Sequence, residues 1–445
     1  MRGLRFFLAL YLSKGIAHAI DLFARGRGTN LPGAVALKID PQFLRHVRGI
    51  DPEKTVFITG TNGKSTTTSL LNHILTGAGY AVISNLDGAN MTPGVAVPLL
   101  RSCSLTGKVR CDYVIMETDE RYVSRIRQQL PAKYLCVTNV QKDQVQRNGE
   151  PSFIRNKIQL AIKPDMTVFV NQDEPNACSL GNAGAARAVR YSVSPHGLSF
   201  RQEDDFFAVS TPCPVCHNAI SFRQYNLANM GPFQCPVCGF GGKDAPDYLA
   251  EDVSFETGQF TVSGTVYPFH YKNPQFLYSY VAALSVAREL GISEEDIVRA
   301  FDAFTNASDR VETHQAAGRT LQYYKIKQEN SETLQGVINT VAADPTEKVV
   351  LFGLDEYVAF YPPYIDSSFL YDCDFSPLLR SGVSRLVCGS EAMGHICATR
   401  LFYDGFSPDS VEVLPDSLEP TLGGALKDLP CENVYLVEEL PFWKR

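Results

Sequence analysis

From residue 55 onward the chain alternates short, unbroken apolar runs with longer stretches of helical periodicity. The runs TVFITG, AVISN, DYVIME, YLCVTNV and TVFVNQD are each bounded by a polar or glycine-containing turn. A half-buried strand would alternate apolar with polar residues, so unbroken apolarity marks strands covered on both faces. The stretches between them, such as KSTTTSLLNHILTGAG and RNKIQLAI, supply the covering helices. The prediction is an α/β fold: a mostly parallel sheet between helices, binding ligands at the carboxyl ends of its strands. The pattern breaks between 194 and 250, where paired cysteines, glycine and proline take over, and resumes with the helix FLYSYVAALSVARELG. After FTNASDRVETHQAAGRT a second β-α series begins: LQYYKIK, ETLQGVINTV, EKVVLFGL, SRLVCGS and NVYLVEEL. The expected division is an N-terminal helical segment over 1–50, a central domain over 51–313 with an insertion near 205–245, and a smaller α/β domain over 314–445.

A chain of 445 residues exceeds what one core usually serves, in keeping with several domains. Apolar residues make up 44% of it, which excludes disorder, and a net charge of −7 without long charge runs gives no nucleic-acid footprint. Eight of its twelve cysteines are scattered singly, several inside apolar runs, and read as buried free thiols of a reducing cytoplasm. The start, MRGLRFFLALYLSKGIAHAIDLFARGRG, loosely mimics an export signal. Lys14 interrupts its apolar stretch, and no run reaches the ~18 apolar residues of a spanning helix. An amphipathic helix with Arg2, Arg5, Lys14, Arg25 and Arg27 is expected, either packed on the protein or lying near an anionic membrane surface.

The stretch FITGTNGKSTTT carries the first chemistry. A strand delivers Gly60; Thr61, Asn62 and Gly63 form a loop; Lys64, Ser65 and Thr66 open a helix. Glycines let backbone N–H groups converge on phosphate oxygens, and the helix N-terminus adds partial positive charge. Lys64 would bridge the β- and γ-phosphates of a nucleotide, and Ser65 would ligate Mg²⁺.

TGTNGKS(T)TT resembles the loop of Mur ligases and folylpolyglutamate synthases, and METDE, TNVQKDQVQRNGE, VNQDEP and DRVE extend the likeness in order. The resemblance implies coupling of ATP hydrolysis to carboxylate amidation through an acyl phosphate. It makes Glu117 the carboxylate completing the Mg²⁺ shell, Asn171 and Asp173 adenine-side contacts, and Arg310 an interdomain contact to the nucleotide. Asn139 and Asp143 fall where these ligases carry an Asp-His pair, with Gln144 in the histidine's place. Lys157 falls at the family's carbamylated lysine, with a solvated helix lysine as the other reading.

Cys213, Cys216, Cys235 and Cys238 form C-x₂-C-x₁₈-C-x₂-C. Two knuckles so spaced present four thiolates tetrahedrally, which suits Zn²⁺ and leaves no open position, so the site is expected to be structural. A zinc ribbon inserted in such a ligase domain resembles the MurT-type subunits of lipid II isoglutaminyl synthase. GTNLPGAVALKIDP, NLDGANMTPGVA and YIDSSFLYDCDF are similar to segments of that family. The last match makes Asp366 the aspartate offered to a partner's glutaminase site, with Asp372 and Asp374 also matching.

That resemblance implies phosphorylation of the D-Glu α-carboxylate of the lipid II stem peptide by ATP with Mg²⁺. Ammonia would come from a GatD-type glutamine amidotransferase subunit, since this chain lacks a G-x-Cys-x-G nucleophile elbow around Cys388. Lys64, Glu117 and Asp366 are the expected catalytic residues, in a cytoplasmic enzyme working at the membrane's inner face. The chain departs from the family's pattern at Phe276 and Ser279, which replace two asparagines, and over residues 327–332. Two other readings stay open: a stand-alone ligase with a different carboxylate acceptor, and a non-catalytic scaffold that keeps nucleotide and zinc.

Overall fold

The computed structural model describes residues 3–23, 30–86, 89–201, 211–241, 245–270, 274–305, 311–316, 318–327, 329–354, 366–389, 391–414 and 431–440. Among these residues, β1 (Thr55–Thr59), β2 (Val82–Ser84), β3 (Tyr113–Glu117), β4 (Tyr134–Val137), β5 (Thr167–Asn171) and β6 (Arg187–Val193) form a parallel core in the order β2-β3-β1-β4-β5-β6. Every residue of β1, β3 and β5 is buried, as their unbroken apolarity requires. The sheet continues through β9 (Tyr248–Ser254), parallel to β6, into an antiparallel meander of β10 (Gln259–Val262) and β11 (Thr265–Pro268). The helices Lys64–Gly77, Pro274–Glu289 and Glu294–Ala303 cover one face, with Leu70, Leu71, Ile74, Tyr280 and Phe301 in its core. Helices on the other face include Thr92–Ser102 and Pro151–Gln159.

The second sheet runs β12 (Val311–Ala316), β13 (Arg319–Lys327), β17 (Asn433–Leu440), β14 (Lys348–Gly353), β15 (Val383–Gly389) and β16 (Val411–Val413). It is parallel except for β12, which pairs antiparallel with β13. Its core lies against the helices Ser331–Ala343 and Glu391–Tyr403. Between β6 and β9 the chain forms the small hairpin of β7 (Ser221–Phe222) and β8 (Phe233–Gln234) that carries the cysteine knuckles. The eight scattered cysteines form no disulfide.

The N-terminal segment differs from expectation. Helix α1 (Leu4–Phe23) is, by length and composition, long and apolar enough to cross a membrane. Yet one stripe of it, Phe6, Ala9, Leu10, Ser13 and Ala17, is buried against the protein. Helix α2 (Leu31–Ile39) packs between α1 and Thr92–Ser102, so closely that a Cβ at Gly33 would lie 1.9 Å from the Pro93 carbonyl oxygen. The outward stripe of α1 is also apolar, with Leu4, Leu8, Tyr11, Leu12, Leu22 and Phe23 exposed. Lys14 donates to the Arg101 carbonyl at the helix's edge, and Arg101 pairs with Asp21. The helix is therefore apolar on two sides rather than simply amphipathic.

Candidate active site at the phosphate loop

Residues 60–63 leave β1 and turn directly into the helix Lys64–Gly77. Gly60 has φ +130°, and a Cβ there would lie 2.3 Å from Thr138 Oγ1 and 2.6 Å from the Asn139 carbonyl, so only glycine fits. The end of β4 clamps the loop. The N–H groups of Thr61 and Asn62 donate to the carbonyl and Oδ1 of Asn139, while the Asn62 carbonyl accepts from Thr138 Oγ1 and Asn139 Nδ2. The N–H groups that can meet an anion are therefore those of the first helical turn, which have no intrahelical acceptor.

Lys64 is buried at the head of this helix. Its ammonium donates to the carbonyl of Gly60 and, at 3.0 Å, to that of Thr61, and lies 3.3 Å from the Glu120 carboxylate. Burial opposes its charge, but Glu120, Glu117, Asp143 and Asp119 outweigh that and raise its pKa above the ordinary lysine value. Glu117 ends β3 with its carboxylate buried. Its Oε1 accepts from Asn90 Nδ2 at 2.8 Å, and its backbone is gripped at both N–H and carbonyl by the Asn85 amide. Ser65 is exposed on the first helical turn. A carboxylate and a hydroxyl are oxygen donors of the kind Mg²⁺ selects, so both side chains fit the ion expected of them.

A second cation reaches the loop from the other domain. Lys327, the last residue of β13, donates to the same Thr61 carbonyl at 3.0 Å and pairs with Asp143 Oδ2 at 2.5 Å. Burial lowers its pKa and Lys64 adds to that, against the opposing pull of Asp143. Asn330, the N-cap of Ser331–Ala343, donates to Asp143 Oδ1, and the Gln144 N–H donates to the Glu329 carbonyl. Asp143 is thus the hub of the domain contact. Sequence reading named Lys327 only as the start of a departure, because its role depends on where the second sheet docks. Farther along the contact, Lys142 pairs with Asp372 at 2.7 Å. Asp366 accepts from the Ser368 N–H ahead of a short helical turn, and Asp374 likewise caps Ser376.

Beside the loop lies a narrow pocket walled by Asn62, Gly63, Tyr191, Met230, Tyr278 and Ser279 among others. Asn171 and Asp173 sit behind it, fully enclosed. Asp173 accepts from Ser192 Oγ at 2.6 Å and from the Val193 N–H and Tyr278 hydroxyl, both at 2.8 Å. Burial pushes it up to about 6 despite those donors. Asn171 Oδ1 holds the Asp173 N–H. Ser279, one of the two departures from the family's asparagines, lies on the pocket wall. Lys157 lies 5.0 Å over the ring of exposed Phe153 on Pro151–Gln159. Arg310 lies outside the described residues.

The four cysteine sulfurs of the ribbon all lie within 4.8 Å of one another. Cys213–Cys238 and Cys216–Cys235 approach to 3.6 and 3.4 Å, too far for disulfides. Each knuckle closes through a tight backbone turn, His217 N–H to the Cys213 carbonyl and Gly239 N–H to that of Cys235, both at 2.9 Å. Four converging sulfurs are compatible with zinc, whose edge-to-edge sulfur spacing at ~2.3 Å bonds is roughly 3.8 Å.

Two family models match the chain: that of the Mur ligase middle domain over residues 58–227, and that of the MurT ligase C-terminal domain over 328–438. Among solved structures, a pseudomurein peptide ligase type C from Methanothermus fervidus superposes with TM-score 0.66 at 18% identity, over 87% of this chain and 76% of its own. MurF ligase from Thermotoga maritima, solved in complex with ADP, gives TM-score 0.57 at 13% identity, over 92% of this chain and 80% of its own. Fold and loop define a Mur-type ATP-dependent ligase. The lipid II isoglutaminyl synthase subunit MurT of Staphylococcus aureus (strain COL) is 27% identical over 402 residues, 86% of this chain and 85% of its own. That of Streptococcus pneumoniae (strain ATCC BAA-255 / R6) is 27% identical over 419 residues, 93% and 90%. By both family models and by these relatives, the chain is similar over most of its length to the MurT subunits of the Mur ligase family.

Proposed function

We propose that the chain is the synthetase subunit of a lipid II isoglutaminyl synthase. The carrying observation is the convergence of Lys64 and Lys327, one from each domain, on the Thr61 carbonyl beside a cluster of carboxylates. Such a site balances cations that a polyphosphate would otherwise neutralise. ATP binds with its phosphates at the head of Lys64–Gly77, and Ser65 and Glu117 hold Mg²⁺, which supplies further charge neutralisation to the phosphates. A D-Glu α-carboxylate oxygen of the stem peptide attacks the γ-phosphorus, and ADP leaves. Ammonia then attacks the acyl carbon, and inorganic phosphate departs with the C–O bond's electron pair to give the amide. Lys64 and Lys327 stabilise charge on the phosphoryl group in flight. Asn171, Asp173 and Arg310 belong to the nucleotide's binding surround, and the domain division, which falls before β12 rather than at the expected 313, separates nucleotide loop from closing domain.

Ammonia comes from a GatD-type glutaminase that docks on the C-terminal domain, where Asp366 faces it. Support for that role is the motif match and the placement of Asp366 outside the Asp143 hub. Zn²⁺ holds the ribbon through Cys213, Cys216, Cys235 and Cys238. The enzyme works in the cytoplasm against the inner face of the membrane, a position supported by the outward apolar stripe of α1 and its basic neighbour Arg5.

Co-purification with candidate glutaminases, followed by assay of lipid II with ATP and glutamine, tests the reading. Amidated lipid II is expected with the partner present, and Asp366→Asn abolishes its glutamine-dependent formation. ATP turnover driven by a different carboxylate, with lipid II left unmodified, would favour the stand-alone ligase instead.

A further inference from the structure

The cysteine ribbon is tied to the phosphate loop by a one-way chain of side-chain hydrogen bonds. Asn62 Nδ2 donates to Gln141 Oε1 at 2.9 Å, Gln141 Nε2 donates to Asn229 Oδ1 at 2.7 Å, and Asn229 Nδ2 donates to Thr211 Oγ1 at 2.9 Å. All four residues are buried. Each amide uses its oxygen on one neighbour and its nitrogen on the next, so turning any one of them would set donor against donor. The backbone of Gln141 is separately fixed to Thr61 Oγ1, which leaves its side chain to act as the link.

The two ends of this chain have different characters. Thr211 lies two residues before Cys213, and Asn229 six residues before Cys235, so their positions follow from the fold the knuckles impose. The Gly231 N–H donates to the Asp173 carbonyl, a second tie between ribbon and sheet. At the loop end, committing Asn62 Nδ2 to Gln141 determines which way the amide faces. Its Oδ1 is buried and has no hydrogen-bond partner among the described residues, on a residue that walls the pocket beside Gly63. A buried acceptor of this kind is costly until a ligand donor meets it.

We propose that Gln141 and Asn229 are positioning residues for the nucleotide, and that the four-cysteine ribbon is the outer anchor of the relay through which they orient Asn62. The ribbon then does more than hold itself together: it sets the Asn62 oxygen toward a donor, amino or hydroxyl, on the bound nucleotide. This rests on the nucleotide reading of the loop. The ribbon's sulfurs fit the metal, and Thr211, Asn229 and Gln141 connect the ribbon to Asn62.

The test titrates MgADP into the full-length, zinc-loaded chain in complex with its glutaminase, with zinc content measured on every sample. Wild-type protein that binds no ADP would overturn the nucleotide reading itself, before the relay is at issue. Given wild-type binding, Asn229→Ala weakens ADP about fivefold or more while keeping full zinc, and raises KM for ATP with little change in kcat. Thr211→Val keeps the side chain's shape, loses the hydroxyl and also weakens ADP, and Thr211→Ser restores it. If Asn229→Ala does not fold, the Thr211 pair decides. ADP affinity within twofold of wild type in folded, zinc-loaded Thr211→Val overturns the relay and leaves the ribbon a separate module.

Discussion

Lys64 and Lys327 donate to the same carbonyl oxygen, that of Thr61, yet they reach it by opposite routes. Lys64 arrives locally: strand, glycine, lysine and helix follow one another within ten residues, and the backbone alone brings the ammonium over its own loop. Lys327 arrives from 266 residues away, at the end of a strand in a different sheet, and is held by Asp143 and the neighbouring Asn330 cap. The local lysine owes its place to no other part of the chain. The distant one is in place because the second sheet docks on the loop, so on the proposed reading it links that docking to charge at the phosphates. On the proposed reading, the first cation serves phosphate binding and the second depends on the docking of the two domains.

The largest effect that separates the two is expected from Lys64→Ala, which removes the cation from an otherwise intact loop. ATP turnover falls by about 10³-fold or more while the fold survives, as checked by phosphate release and circular dichroism. Lys327→Ala follows, with kcat/KM for ATP down roughly 30–100-fold and Asp143 left without its ion partner at the domain contact. Limited proteolysis of that variant should cut between the domains faster than in wild type. Equal proteolysis rates would detach Lys327 from closure. Cys235→Ser acts at a distance from both lysines: zinc content falls and the melting temperature drops by roughly 5 °C or more. Full zinc occupancy in that variant would mean the ligand set is different.

The smallest effect concerns pH. Glu332, in the first turn of Ser331–Ala343, is buried at the contact, where it accepts the Asn229 N–H. Burial, reinforced by Glu174 and Asp372, pushes its carboxyl up to about 8. Folding thus favours the protonated acid, and its contribution is complete below the ordinary carboxylate range and lost as pH rises through about 8. Glu174 and Asp173, raised to about 7 and about 6, act with the same sign at lower pH. Glu332→Gln keeps the neutral form, so it should raise the melting temperature by a few degrees at pH 8, by less at pH 6, and leave pH 4 unchanged. An unchanged slope of melting temperature against pH between 5 and 8 would place the titrating group elsewhere.

The same contrast governs what could be read from the sequence. Strands β1, β3, β4 and β5 were legible because burial on both faces writes itself as unbroken apolarity, and the loop because its residues are contiguous. The meander β9–β11 was not: YLAEDVS and TVYP mix charge, turn and apolar positions at a sheet edge, where only some side chains are buried. The cysteine knuckles were legible from spacing alone, whereas the Gln141–Asn229 bond joins residues 88 apart and has no local signature. Asp143 was placed in the right stretch, but its function as a hub needs Lys327 and Asn330 from the docked domain. The apolar outer stripe of α1 was obscured by its basic residues, because burial of one face and exposure of the other both accept leucine.

On the proposed reading ATP's terminal phosphate is passed to a carboxylate, and hydroxylamine trapping captures the activated acyl group that results. Complexed enzyme is incubated with ATP, Mg²⁺, lipid II and hydroxylamine, with glutamine and ammonia left out. A stem-peptide hydroxamate is expected in step with ADP, and none with Lys64→Ala. ADP released without hydroxamate, or hydroxamate formed equally by Lys64→Ala, would contradict it.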